Sequence, residues 1–410
     1  MLPRFLLLYG AMFGAYGVAA PFLPPLLARD GLSPTAIGIV LAAGTAVRLL
    51  AGPLGGRLAD RSGRAPLVLA GLSAAAAVVA FGYGAGRSFA WLLLVSVAHA
   101  SLLAPMTPVA DALALGSAEA VGGFSYGWVR GAGSAAFVGG TLVSGQLVGR
   151  LGLGAFVGAN AALLLIAAFI APIVPNRMAG RRDVGGDIPV AEDRVRVAPR
   201  ARLGPAAPAG PSPIKTLLGV PGFGRLMLVA ALVLGSHALH DGFSVIRWQA
   251  AGMSPTRISI VWSLSVVSEV AMFVLLGRPI LRRIGAAQAL MLSAAAGALR
   301  WGISACTAAF PVVACSECLH GLSFALLHLA VMRLLGAMVP APLAATAQAF
   351  YATVATGAMS SLVTLASGPA YGRLGPSVFW AMTLLCVAAL PIALRLRGFD
   401  PEEEVGATHR

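Results

Sequence analysis

Residues 315–335 read CSECLHGLSFALLHLAVMRLL, an apolar run interrupted by Glu317, His320 and His328. An imidazole titrates near neutral pH, and burial or a neighbouring charge can bring a carboxyl into the same range. At about 100° per residue, Glu317 and His328 differ by about 20°, and His320 lies about 60° to the other side of Glu317. One helix face therefore carries all three. Along the axis Glu317 and His328 stand about 16 Å apart, too far for direct contact. Such a stripe suits a water-accessible pathway; alternatively, each histidine hydrogen-bonds to a neighbouring helix. Metal binding fits poorly, because the histidines are not an i, i+4 pair and no thiolate cluster supports them. Cys315 and Cys318 match C-x-x-C but lack the strand–helix setting of a redox pair. No metal and no cofactor is expected.

Other apolar runs also carry ionisable groups. Each costs about 2.5–3.5 kcal/mol on insertion scales, so each calls for a reason. Glu269 lies within SLSVVSEVAMFVLL, and Arg300 stands beside Trp301. A carboxylate opposite an arginine is a structural ion pair or a gate that opens on protonation. His237, His240 and Asp241 share one run with Trp248. His237 and Asp241, four apart, can share a face, and their place in the run fits a gate or wetted vestibule. Arg130 is flanked by Tyr126, Gly127 and Gly131. Gly127, Gly131, Ala135 and Gly139 repeat every four residues, a spacing that lets helices approach closely. Asp111 and Arg48 could pair with each other or act in a conformational change.

The elements that must position these groups follow from composition. The 410 residues are 58% hydrophobic and 11% charged, against about 25% charged in a soluble domain. Apolar runs recur near 4–28, 34–58, 65–86, 88–116, 122–149 and 152–175. They resume near 222–249, 255–281, 286–306, 309–338, 341–369 and 375–396. Each can span a bilayer, which takes about 20 helical residues. The expected fold is an all-α membrane protein of twelve transmembrane helices in two six-helix halves. The first run, MLPRFLLLYGAMFGAYGVAAPFL, exceeds a signal-peptide core of about 7–15 residues and reads as an uncleaved helix.

The net charge of +14 is distributed by side. Basic residues cluster at Arg4, Arg57/Arg61/Arg64, through 177–215, at Arg278/Arg282/Arg283, Arg333 and Arg395/Arg397. The opposite loops hold few, such as Arg29, Arg87, Arg150, Arg257 and Arg373. That asymmetry places both termini in the cytoplasm and the chain in the cell (inner) membrane, and it displaces a nucleic-acid reading of the charge. The expected organisation is an N-terminal half at 1–175, a flexible basic linker at 176–221, a C-terminal half at 222–396 and a tail at 397–410. The linker, rich in Pro, Gly and Arg, buries too little apolar surface to order itself. The expected partners are lipid, protons and a small-molecule substrate, and the expected state is a monomer.

GGRLADRSGR at 55–64 and GRPILRRIGA at 277–286 occupy matching places in the two halves, a faint repeat of the kind seen in secondary transporters. Gly56, Asp60, Arg61, Gly63 and Arg64 in the first of these resemble the signature loop of the major facilitator superfamily. HALHDGFSVIRWQAAG at 237–252, WSLSVVSEVAMF at 262–273, ALRWGI at 298–303, PVADALAL at 108–115 and YGWVRGAGSAAFVGG at 126–140 are more specific. Together they resemble the phenylpropionate permease branch and its relatives among sugar- and nucleoside–proton symporters.

The resemblance implies alternating access, a substrate site between the halves, and no enzymatic activity. In the sugar symporters an acid on helix eight, an arginine on helix nine and a histidine with an acid on helix ten act together. Glu269, Arg300, His320 and Glu317 fall on those helices, although here the acid of helix ten precedes the histidine. The implied substrate is a small aromatic carboxylate, taken up with protons. Arg130 or Arg300 would hold the carboxylate, and Trp248, Trp262 or Trp301 would meet the ring or anchor the helices at the interface. In the loop, Asp60 is expected to cap or pair with Arg61 or Arg64 and hold one state closed. A proton-driven exporter, a transport-inactive sensor and a membrane enzyme remain alternatives. No GxxxxGK[ST] motif for ATP is present.

Overall fold

The structure, a computed structural model, describes residues 1–119, 123–177 and 213–399. All regular structure among them is helical. In the first half the long helices are α1 (Leu2–Arg29), α2 (Pro34–Ser62), α3 (Ala65–Ala85), α4 (Phe89–Ala118), α5 (Tyr126–Leu151) and α6 (Ala155–Ile173). The second half opens with α7 (Phe223–Ala250), followed by continuous helical stretches Pro255–Cys306 and Ala341–Leu394 on either side of α10 (Phe310–Met338).

Each of those two stretches exceeds 50 residues, which would make a rod of more than about 75 Å against a hydrocarbon core of about 30 Å. Each must turn back, and each does so at a glycine with positive φ. Gly285 (φ 74°) divides α8 (255–284) from α9 (286–306), and Gly375 (φ 56°) divides α11 (341–374) from α12 (375–394). The twelve helices are those expected. Gly63 (φ 62°) caps α2 at the place in 55–64 that Gly285 holds in 277–286. The faint repeat thus marks two glycine-made reversals, a conformation that side chains with a Cβ rarely adopt.

Most of the interval 176–221, and the chain beyond 399, lie outside the described residues. The end of that interval is not the unstructured segment expected. Pro213–Leu218 forms a short helix with Leu217 buried, an apolar anchor within an otherwise polar stretch.

Within the first half, α1 and α5 are in near-backbone contact. A Cβ on Gly140 would overlap the Gly14 carbonyl, and one on Gly17 would overlap that of Phe137. The Thr141 hydroxyl donates to the Gly17 carbonyl (3.0 Å), and the Asn160 amide donates to that of Ala15 (2.8 Å). The repeat Gly127, Gly131, Ala135 and Gly139 is not the packing stripe. A Cβ on Gly131 or Gly139 meets nothing within 4 Å, and this face lies beside the exposed Trp128. In a helix so rich in glycine, several four-residue spacings coexist, and only the neighbour selects the one that packs.

The halves meet along α2 with α11, α5 with α8, and the end of α1 with α7. A Cβ on Gly38 would lie 2.9 Å from Gly368 Cα, and one on Gly145 would overlap Ser259. These contacts lie at the end of the bundle remote from the termini. Buried positions thin out toward the other end: in α2 they are Ile37, Gly38, Val40, Ala42 and Gly44, then only Ala59. The halves are closed at one end and diverge toward the end that holds the termini. Placing leucine at Gly38 should therefore wedge the closed end apart. In a background free of the four native cysteines, Leu41→Cys should then react several-fold faster with a membrane-impermeant thiol reagent. An unchanged rate would show that the contact does not hold the closure.

Candidate functional site

The polar residues of the second half converge on Arg300, which has no solvent exposure. Helix α9 presents it to α7 and α10. Its guanidinium forms an ion pair with Glu317, itself fully buried. Its Nη1 lies 2.9 Å from His320 Nδ1, and its Nη2 lies 3.4 Å from His240 Nε2. Its Cζ stands 4.5 Å from the Trp301 ring centroid. Burying an ion pair costs several kcal/mol of desolvation per ion, and this dense set of partners offsets it.

A guanidinium only donates, so His320 Nδ1 accepts from Arg300 and the proton of that ring resides on Nε2. His320 Nε2 faces Glu269 Oε2 at 3.4 Å. His240 differs, because both of its nitrogens face carboxylates. Nδ1 lies 3.2 Å from Asp241 and Nε2 lies 3.1 Å from Glu317. As an imidazolium it donates to both carboxylates, and Arg300 Nη2, 3.4 Å from Nε2, then turns its hydrogens to Glu317. Stacking on Trp262, with centroids 5.3 Å apart, suits a cation as well. Arg300 and His240 are then balanced by Glu317 and Asp241, and Glu269 is the carboxyl left over. Exposure rises along the series Glu317 0%, His320 17%, Glu269 28%, and Asp241, on the far side of His240, is 68% exposed. Glu269 and Asp241 are the two accessible ends of the cluster.

Several expected pairings are replaced. Asp241 takes His240 rather than His237, whose Nε2 lies 3.2 Å from the Ser323 hydroxyl. His328 leaves the stripe and hydrogen-bonds to the Tyr351 hydroxyl at 3.0 Å, with Phe273 at its edge. The constant rotation per residue fails because Gly321–Leu326 is a π-helical turn. Further π turns occupy Met272–Leu276 and Tyr351–Ala358, so wide turns follow Glu269 and His320 and contain Tyr351. At the start of the α10 turn, a Cβ on Gly321 would overlap the Ser268 carbonyl, and the Gly321 N–H donates to the Ser268 hydroxyl at 3.0 Å. That close approach brings His320 to Glu269.

Trp248 and Trp301 are at most 2% exposed and pack around His240, so they neither anchor the interface nor offer a face to a ring. The exposed tryptophans are Trp91, Trp128 and Trp380. The Trp301 indole donates to the Ser236 hydroxyl at 2.7 Å. Sequence reasoning placed His240 in the right run without a role; its neighbour Asp241 was the available signal.

In the first half, Asp111 pairs with the Tyr9 hydroxyl and lies 3.9 Å from Arg130, not with Arg48. Arg130 also covers the Phe13 ring at 5.0 Å. It also lies within electrostatic reach of Glu269 in the other half, without an ion pair between them among the described residues. Asp60 forms no ion pair with Arg61 or Arg64 among the described residues. Ser62 makes the local contacts instead, donating to the Ala59 carbonyl (3.0 Å) and accepting from the Arg64 N–H (3.1 Å). At that end the halves are apart, and Asp60 is exposed.

The fold has known counterparts. The chain is 33% identical over 386 residues to the probable 3-phenylpropionic acid transporter of Escherichia coli (strain K12), covering 93% of this chain and 94% of that one. It is 21% identical to the uncharacterized transporter YwbF of Bacillus subtilis (strain 168), covering 95% and 93%. The crystal structure of the nucleoside transporter NupG superposes with a TM-score of 0.75 at 17% identity, covering 97% of this chain and 98% of that one. A POT family peptide transporter superposes with a TM-score of 0.68 at 14% identity, covering 97% and 96%. Residues 2–382 match the MFS_1 like family. The chain belongs to that family, and it is a secondary transporter of the major facilitator superfamily.

Proposed function

We propose that this transporter takes up a small aryl carboxylate of the 3-phenylpropionate type together with protons. The observation that carries the reading is the charge-balanced Arg300–Glu317–His240–Asp241 cluster with Glu269 left over at one of its two exposed edges. A proton can enter or leave Glu269 without stranding a charge in the buried part, and His320 Nε2–H donates to the carboxylate when that proton has left. Arg130 of the other half faces the same carboxyl, so its protonation changes the attraction between the halves. That attraction is a differential interaction between states, which is what a conformational change requires. The relative named for 3-phenylpropionic acid supports the substrate class.

In this reading both termini and the loop at 55–64 face the cytoplasm, and the closed end of the bundle faces outward. The bundle then stands in its inward-facing state. Reporter fusions after residues 180 and 399 should both give cytoplasmic signals; an external signal at either overturns this orientation.

The two acids should behave differently. Glu317→Gln strands the Arg300 charge and should destabilise the protein by about 3–5 kcal/mol, read as a fall in yield and in thermal unfolding temperature. Glu269→Gln should fold with an unchanged unfolding temperature. In proteoliposomes it should retain counterflow exchange of 3-phenylpropionate and lose accumulation driven by an imposed pH gradient. Full pH-driven accumulation in Glu269→Gln would remove that residue from coupling. Wild-type efflux driven by an inward proton gradient would make the protein an exporter.

A further inference from the structure

We infer that Arg48, at the middle of α2, binds the carboxylate of the transported anion in a subsite shared with His99. This assignment rests on the aryl-carboxylate reading above and adds the group that recognises the anion. Arg48 stands fourteen residues from each end of α2 (Pro34–Ser62), about 21 Å of rise in either direction. Its charge therefore lies inside the span on the side of the loop at 55–64, which begins about 10 Å of rise further along α2. Such a cation needs an anion or an enclosed set of acceptors.

Two other arginines within the helices have protein acids. Arg300 is enclosed by Glu317, His240 and His320 with no surface left to a ligand. Arg130 lies beside Asp111 and faces Glu269. Among the described residues Arg48 has no carboxylate within 4.0 Å and no hydrogen-bond partner. Its side chain is exposed, yet Tyr16 of α1, Tyr83 of α3 and His99 of α4 lie within its electrostatic reach. Gly44 and Gly52, about one turn to either side of it on α2, pack against Ser96, Ala100 and Ala104 of α4, the stretch that carries His99. The adjacent Leu49 packs against Gly357 of α11, which puts this part of α2 beside the other half.

His99 is the independent observation. It is 5% exposed, packs edge-on against Tyr83 at 5.7 Å, and its Nε2 has no hydrogen-bond partner. A buried polar atom without a partner costs free energy, so such atoms are rare unless a ligand or water completes them. A carboxylate set between the Arg48 fork and His99 would satisfy both, one oxygen accepting from each or both accepting from the guanidinium. A neutral analogue would leave the Arg48 charge unmatched.

Binding to the purified full-length protein tests the assignment, measured calorimetrically with 3-phenylpropionate and with its neutral amide. Wild type should favour the carboxylate. Arg48→Gln should weaken carboxylate binding about tenfold or more and leave amide binding within about twofold, erasing the preference. Arg48→Lys should restore part of it, and His99→Gln should weaken the carboxylate by a smaller factor. Because Arg48 holds no protein partner among the described residues, the Arg48 variants should unfold at the wild-type temperature. Should Arg48→Gln not be obtained folded, Arg48→Lys must still lower the carboxylate-to-amide ratio. A wild-type preference retained in Arg48→Gln or Arg48→Lys, or lost in Arg130→Gln alone, overturns the assignment while leaving the substrate reading intact. A wild type that binds neither compound overturns the substrate reading and this assignment with it.

Discussion

A guanidinium does not give up its proton inside a protein, so an arginine with no solvent exposure in an apolar bundle must be surrounded by acceptors. Arg300 imposes that requirement on the second half. Glu317 must be ionised beside it, His320 must present an unprotonated Nδ1, and three helices must come together to deliver these groups. His240 then sits between the acid already committed to Arg300 and Asp241. Once those charges are matched, one carboxyl, Glu269, lies at the edge with freedom to change its protonation. The site's chemistry follows from a cation that cannot be neutralised by losing its own proton.

The delivery depends on unusual backbone. Gly321 lets α10 approach α8 to backbone distance, and its N–H is met by Ser268 rather than left to a helix broken by the π turn. Wide turns in α8, α10 and α11 lie in the same half as the ion cluster. Among the described residues, the first half has no π turn. It is built instead on direct α1–α5 contact through Gly14, Gly17 and Gly140 and on side-chain bonds to helix carbonyls. The halves thus share a fold and divide the work: one carries a titratable network, the other a stiff frame with arginines aimed at the seam.

The seam itself is a contact of glycines with backbone at one end and a divergence at the other. Packing of this kind gains dispersion energy only when no Cβ intervenes. It can also be released without separating large interlocked side chains. Gly38 with Gly368 and Gly145 with Ser259 hold the closed end, while the charges of Glu269 and Arg130 act deeper in the bundle. In the proposed mechanism a proton on Glu269 and a contact between glycines bear on the same equilibrium from different depths.

The helix count, the order of the halves and the identity of the acids and histidines were legible in the residues themselves. Hydrophobic run length is a local property, set by the thickness of the bilayer, and a charge inside such a run is conspicuous wherever it falls. The matched glycines 63 and 285 were readable for the same reason, since a reversal that short needs a positive φ. Partners were a different matter. Asp241 chose His240 over His237, Asp111 chose Tyr9 and Arg130 over Arg48, and the packing stripe of α5 was not the one its four-residue spacing indicated. His328 left the face of Glu317 because a π turn intervened, and Trp248 and Trp301 became walls for histidines. Each outcome depends on how far one helix is rotated against another, by fractions of a turn that accumulate over many residues. Rotation of that kind is decided by the whole bundle packing at once, and no single run of sequence contains it.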